Sequence, residues 1–157
     1  MFGSKFKIAA AVGSDIEAVR SLWSEYWDSL ALAPDFQDFA AERAALPGVY
    51  ASPKGCLLIA SVQDEPAGTA AFRQLNAKSC EAKRLYVRPA FRRQGIGSAL
   101  LDRLIQEARI AGYQEMYGDT LKSMESALQL YRQVGFREVE SYSPNPTLGA
   151  IFLKLSL

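Results

Sequence analysis

The chain contains no histidine. That absence removes every Ser-His and Cys-His nucleophile pair and every imidazole-based metal site. Cysteine is scarce too, with two in 157 residues. Cys56 and Cys80 fall in segments that read as strands. They are expected as small reduced core residues, not as a disulfide or a nucleophile. No apolar run reaches membrane-spanning length, and the opening Met1-Phe2-Gly3-Ser4-Lys5 lacks the apolar centre of a signal peptide. Charge of one sign is not in excess, with 18 basic against 17 acidic side chains. That balance argues against a nucleic-acid binder working through overall charge. A local basic cluster remains in Arg84, Arg88, Arg92 and Arg93, and its plain alternative is a solvated face. The expectation is a soluble, cytoplasmic protein with no metal, no nucleic-acid partner and no membrane partner.

What is present is apolar content, 49% of residues, enough to exclude disorder and to build one domain over residues 1–157. Phe6 to Val12 reads as a strand. Ser14 and Glu17 fit a capping box, opening a helix that runs to about Leu30. Pro34-Asp35 opens a second short helix that Pro47-Gly48 ends. Cys56 to Val62 and Ala67 to Gln74 form a hairpin around Gln63-Asp64-Glu65-Pro66, and Ser79 to Val87 continues the meander. A long helix runs from Gly95 to about Ala111. Then come a strand from Glu115 to Thr120, a helix from Ser123 to Val134, a strand from Phe136 to Tyr142, and a last strand from Ala150 to Leu155. The order βααβββαβαββ predicts one α/β domain, without repeats or linkers.

The segment Arg92-Arg93-Gln94-Gly95-Ile96-Gly97-Ser98 lies between a strand and the long helix. Such a turn gathers unpaired backbone N–H groups at the positive end of a helix dipole, which suits a phosphate-bearing ligand. Gly95 and Gly97 allow the backbone to approach the anion without a Cβ. A Rossmann fingerprint requires a third glycine where Leu100 stands, and a Walker loop requires Gly-Lys-Ser/Thr, which is absent.

The remaining pattern, Arg92-x-x-Gly95-x-Gly97 after Leu85-Tyr86-Val87-Arg88-Pro89, resembles the signature of the GNAT superfamily of N-acetyltransferases. Tyr131-Arg132-Gln133-Val134-Gly135-Phe136 resembles the family's helix-to-strand segment, and Ala127 matches as well. The likeness covers residues 79–137 in detail. One departure stands out: Met124 occupies a position where the family often has asparagine, leaving either Ser123 or Thr120 to supply a hydroxyl or backbone alone to hold the cofactor arm.

The resemblance implies a GNAT-like acyl-CoA N-acyltransferase fold, a central mixed, mostly antiparallel sheet flanked by about four helices. It implies acetyl-CoA as co-substrate and direct acetyl transfer to a primary amine, on a small molecule or a peptide. By the same likeness, amides of residues 93–98 (Arg93, Gln94, Gly95, Ile96, Gly97, Ser98) hold the pyrophosphate, with Arg92 and Arg93 adding charge. Backbone groups of Leu85, Tyr86 and Val87 hold the pantetheine arm, with Thr120, Ser123 and Ala127 nearby. Glu81 is the candidate base, acting through a water; its alternative is pairing with Lys83. Tyr131 is the candidate acid toward the thiolate. Its ordinary pKa near 10 lies above a thiol's near 8.5, so it keeps a proton to donate.

Candidates for touching the acceptor are Tyr26, Phe36, Arg84, Tyr142 and Asn145, with Trp23, Trp27 and Phe39 as further aromatics. Arg73 and Arg84 are the cations that could meet a carboxylate on an amino-acid acceptor. The family allows a homodimer through terminal strands. The alternative from another class is a non-catalytic acyl-CoA-binding module with the same fold.

Overall fold

The computed structural model describes residues 5–30, 39–142 and 149–157. Among these residues, seven strands and four α-helices follow in the order β1 (Lys7–Ala10), α1 (Asp15–Leu30), α2 (Phe39–Ala45), β2 (Cys56–Val62), β3 (Glu65–Gln74), β4 (Ser79–Val87), α3 (Ile96–Ile110), β5 (Glu115–Leu121), α4 (Glu125–Gln133), β6 (Arg137–Val139) and β7 (Ala150–Ser156). The βααβββαβαββ order expected from the sequence is the one observed. The strands form one sheet in the order β1-β2-β3-β4-β5-β7-β6. Only β4 and β5 run parallel; every other neighbouring pair is antiparallel.

Alternation along the strands divides the core in two. Leu58, Ala60, Cys80, Ala82 and Met116 pack with α3 and α4. Leu57, Ile59, Ala71 and Tyr86 pack with α1 and α2. Each helix buries one stripe: Val19, Leu22, Trp23 and Trp27 in α1, and Ile96, Leu100, Leu101, Leu104, Ile105 and Ala108 in α3. These are the i, i+3, i+4 spacings that put side chains on one helix face. Cys56 and Cys80 are buried and reduced, as expected.

Three local expectations change. The β2–β3 turn is shorter than the sequence suggested. Val62 pairs with Glu65, so the loop is Gln63 and Asp64 alone, with φ of 50° and 67°. Two successive positive φ values make the primed turn whose twist matches a hairpin. Pro66 therefore lies inside β3, at a register irregularity opposite Ser61, where a proline is tolerated. At the start of α1, the Asp15 carboxylate accepts the Val12 N–H at 3.1 Å, and Glu17 pairs with Arg20 instead of completing a box with Ser14. Finally, β6 ends at Val139, short of Tyr142. The start of the second helix at Pro34-Asp35 lies outside the described residues.

Candidate active site

The two parallel strands separate. β4 and β5 are paired only from Ser79–Glu115 to Ala82–Gly118, although β4 continues to Val87 and β5 to Leu121. On their outer sides both strands stay paired to the end, Val87 with Gly68 and Leu121 with Ala150. A gap therefore opens in the middle of the sheet beyond residues 82 and 118. A bulge marks its beginning: the β3–β4 register shifts between Thr69 and Ala71, and Arg84 takes a left-handed φ of 60°. A bulge bends its strand and increases local twist, which turns β4 away from β5.

The turn after β4 delivers the amides the sequence promised. Arg93 and Gly95 are left-handed, at φ of 66° and 84°. The first bond of α3 runs from the Ala99 N–H to the Gly95 carbonyl. None of the N–H groups of residues 93–98 donates to another group among the described residues. Gly95, Gln94 and Arg93 are exposed, and a Cβ on Gly95 would meet nothing within 4 Å. Gly97 has a different reason to be glycine. A Cβ there would stand 3.1 Å from Leu130 Cδ1 of α4, so its bareness serves helix packing. Arg92 turns back, donating from Nε to the Val87 carbonyl at 2.9 Å and lying over the Tyr86 ring.

Glu81 is a heavily engaged carboxylate near the gap. It is 2% exposed, and it lies one residue before the last β4–β5 pair. Arg73, directly opposite on β3, donates from Nε to Oε1 at 3.2 Å. The Tyr142 hydroxyl donates to Oε2 at 2.8 Å, and Lys83 Nζ stands 3.8 Å from Oε1. Alternation places Glu81 on the α1/α2 face, because Cys80 and Ala82 face α3. The expected alternative, pairing with Lys83, is thus present beside two further partners. Tyr142 packs against Tyr117 and Phe152, with ring centroids 4.9 and 5.4 Å away.

Tyr131 lies on the other face. It packs in the α3/α4 core, edge-on to Phe136, against Gly118 at the last β4–β5 pair. Burial pushes its hydroxyl pKa well above the ordinary tyrosine value, with Tyr26, Asp119 and Glu81 adding to the rise. Tyr26 is pushed up to about 12, mainly by burial, and packs on Tyr86 at 5.8 Å. Tyr142 is raised too, by burial first and Glu81 second. Thr120 is buried and donates its hydroxyl to the Met124 sulfur at 3.8 Å, while Ser123 is exposed and Ala127 half-buried.

A family profile described as the acetyltransferase (GNAT) family matches residues 16–136. The chain belongs to the GNAT family of acetyltransferases. An uncharacterized N-acetyltransferase of Schizosaccharomyces pombe is 31% identical over 95% of this chain and 93% of its own. An acetyltransferase of Streptococcus agalactiae has the same fold, with a TM-score of 0.82 at 16% identity, covering 99% of this chain and 100% of that one. A putative acetyltransferase of Salmonella typhimurium, solved with acetyl-CoA, superposes with a TM-score of 0.73 at 21% identity over 97% of this chain and 94% of that one. The GNAT fold and acetyltransferase activity expected from the sequence are thus established, and the non-catalytic module is set aside.

Within this acetyltransferase the expected residues separate into groups. Glu81, Tyr131, Tyr142 and Tyr26 gather around the mouth of the gap, and Leu85, Tyr86 and Val87 line the β4 side of it. The basic cluster does not exist as one surface. Arg84 is 5% exposed, packed against Trp23, Trp27 and Phe39, with its Nη2 3.3 Å from Glu42. Arg88 is held bidentately by Glu25. The guanidinium expected to meet an acceptor is therefore buried among aromatic rings, with Glu42 beside it. The three aromatics around it are buried members of the α1/α2 core. Phe36 and Asn145 lie outside the described residues.

Two residues escaped the sequence reading. Tyr117 is the direct β5 neighbour of Glu81, and Asp119 follows two positions later on the same face. Parallel register with β4 is the signal that brings them to the site, and register is not written in either strand alone. Burial pushes the thiols of Cys56 and Cys80 up to about 12, which leaves almost no thiolate near neutral pH.

Proposed function

We propose that this acetyltransferase moves the acetyl group of acetyl-CoA directly onto a primary amine. The observation that carries the reading is the parting of β4 from β5 beyond Ala82–Gly118, with Glu81 on one face of that opening and Tyr131 on the other. The free amides of residues 93–98 and the left-handed Gly95 suit a pyrophosphate. The unpaired edge of β4 from residue 83 to 87 suits a pantetheine arm lying as a strand. The acetyl-CoA in the Salmonella typhimurium relative of the same fold supports this choice of co-substrate. Two buried reduced cysteines accord with a cytoplasmic protein. Among the described residues no helix is long and apolar enough to cross a membrane.

The chemistry follows from the charges. Alkyl amines arrive as ammonium near neutral pH. Glu81 accepts one proton, through a water, and later returns it to solvent. The freed nitrogen attacks the thioester carbonyl carbon, and an amide N–H at the β4 bulge stabilises the developing oxyanion. The C–S bond breaks, a second nitrogen proton passes to the sulfur, and the third stays on the amide. Tyr131 stands by the leaving sulfur. Its ordinary pKa already exceeds a thiol's and burial raises it further, so it stays protonated and donates a hydrogen bond to the departing thiolate while the sulfur takes its proton from nitrogen.

The direct route rests on the missing imidazole and the inert thiols. Acetyl-CoA with a panel of amines tests it by thiol release, and intact mass of the enzyme after acetyl-CoA alone tests for a covalent intermediate. Release that requires amine, with no acetyl increment on the protein, is expected. A transiently acetylated side chain would overturn the direct route, and no release with any amine would overturn the reading.

A further inference from the structure

We propose that the acceptor amine carries its own carboxylate, and that Arg73 receives it beside Glu81. The inference rests on Glu81 as the group that meets the amine. Arg73 and Glu81 are directly opposed on β3 and β4, and only Arg73 Nε is engaged, at 3.2 Å from Oε1. The two Nη groups make no hydrogen bond among the described residues, and the side chain is 35% exposed.

Several other cations among the described residues already have carboxylate partners. Arg84 lies on Glu42, Arg88 on Glu25 and Lys154 on Glu115, while Lys83 is only 8% exposed beside Glu81. Arg73, directly beside Glu81, keeps spare donors, and a guanidinium fork takes a carboxylate through two parallel bonds.

The polarity also fits. Glu81 and Asp119 lie on β4 and β5 toward the gap, where the positive amine must approach the thioester. Arg73 lies one strand away on β3, on the far side of Glu81. Side chains directly opposed across two strands are about 5 Å apart at Cβ, which suits an amine and a carboxylate separated by a few bonds. The acceptor class is an amino acid.

The test uses the full chain with acetyl-CoA and the standard amino acids, each beside its amide and its decarboxylated amine, with thiol release as readout. At least one amino acid should show kcat/KM ten-fold or more above both partners. In Arg73→Gln that ratio should collapse to within about three-fold, through KM more than kcat, and Arg73→Lys should restore part of it. Equal rates for amino acids and their amides would overturn the proposal, as would a preference that survives Arg73→Gln. Thiol release with polyamines, amino sugars or peptides, but with no amino acid, would overturn it and leave the acetyl-transfer reading standing. No release with any amine would overturn both.

Discussion

Three donors reach the 2%-exposed carboxylate of Glu81, from Arg73, Lys83 and the Tyr142 hydroxyl. Removing its charge has two separable effects. Glu81→Gln should slow acetyl transfer by roughly 10²–10⁴-fold, the usual reach of a positioned base, with little change in acetyl-CoA affinity. It should also cost about 1–3 kcal/mol of stability, because Arg73 and Lys83 lose their common partner. Kinetics, calorimetry and a melting curve on the same variant separate these effects; unchanged turnover would remove Glu81 as the base. Tyr131 gives a pH argument of opposite kind. Burial raises its pKa, so the neutral, donating form persists to higher pH than in a free tyrosine. The sign predicts no fall in kcat from Tyr131 below about pH 10. Tyr131→Phe should lower kcat across the whole range without moving any limb of the profile. An alkaline limb in the wild type that vanishes in Tyr131→Phe would show that its proton is lost early and that the placement is wrong.

At the scale of elements, the turn into α3 shows how two glycines in one motif serve different ends. Gly95 has φ of 84° with open space around it, so its backbone conformation is what excludes other residues. Gly97 lies against Leu130, so volume is what excludes them there. Gly95→Ala should cost about 1–2 kcal/mol from the left-handed conformation, a fall in Tm of about 2–8 °C, and should weaken acetyl-CoA binding by disturbing residues 93–98. Gly97→Ala asks Leu130 Cδ1 to give a few tenths of an ångström and should be mild. Gly97→Trp must push α3 from α4 and should abolish binding heat with acetyl-CoA while far-UV circular dichroism stays close to wild type. Normal binding by Gly97→Trp would refute the packing argument. The motif showed in sequence that this turn needs glycine, but the two reasons needed coordinates. Leu130 approaches Gly97 from 33 residues away in the chain, beyond any local pattern.

At the scale of the whole molecule, periodicity announced every element in its order, because each strand and helix buries one face and its apolar spacing records which. Stretches of Cys80 and Ala82, or of Leu100 and Leu104, are legible in this way. Register is not. The pairing of Glu81 with Arg73 crosses a hairpin, that with Tyr142 spans 61 positions, and the end of β4–β5 pairing at Ala82–Gly118 depends on a bulge at Arg84. The gap that results makes a prediction about the entire fold. β4 and β5 join a meander of β1 to β4 to a β5-β7-β6 half, through four ladder pairs from Ser79–Glu115 to Ala82–Gly118. A pantetheine arm lying between residues 83–87 and 119–121 would tie the halves together beyond those pairs. A ligand at 100 times its Kd stabilises the native state by about 2.7 kcal/mol. In a domain of this size that raises Tm by about 5–11 °C. Acetyl-CoA at such a concentration should produce that rise, and hydrogen exchange should slow at the amides of residues 83–87 and 119–121 as well as at 93–98. Pantetheine is the part that fills the gap, so adenosine 3′,5′-bisphosphate, which lacks it, should protect neither strand edge. Equal protection of both edges by that fragment would show that the gap between β4 and β5 is not where the arm lies.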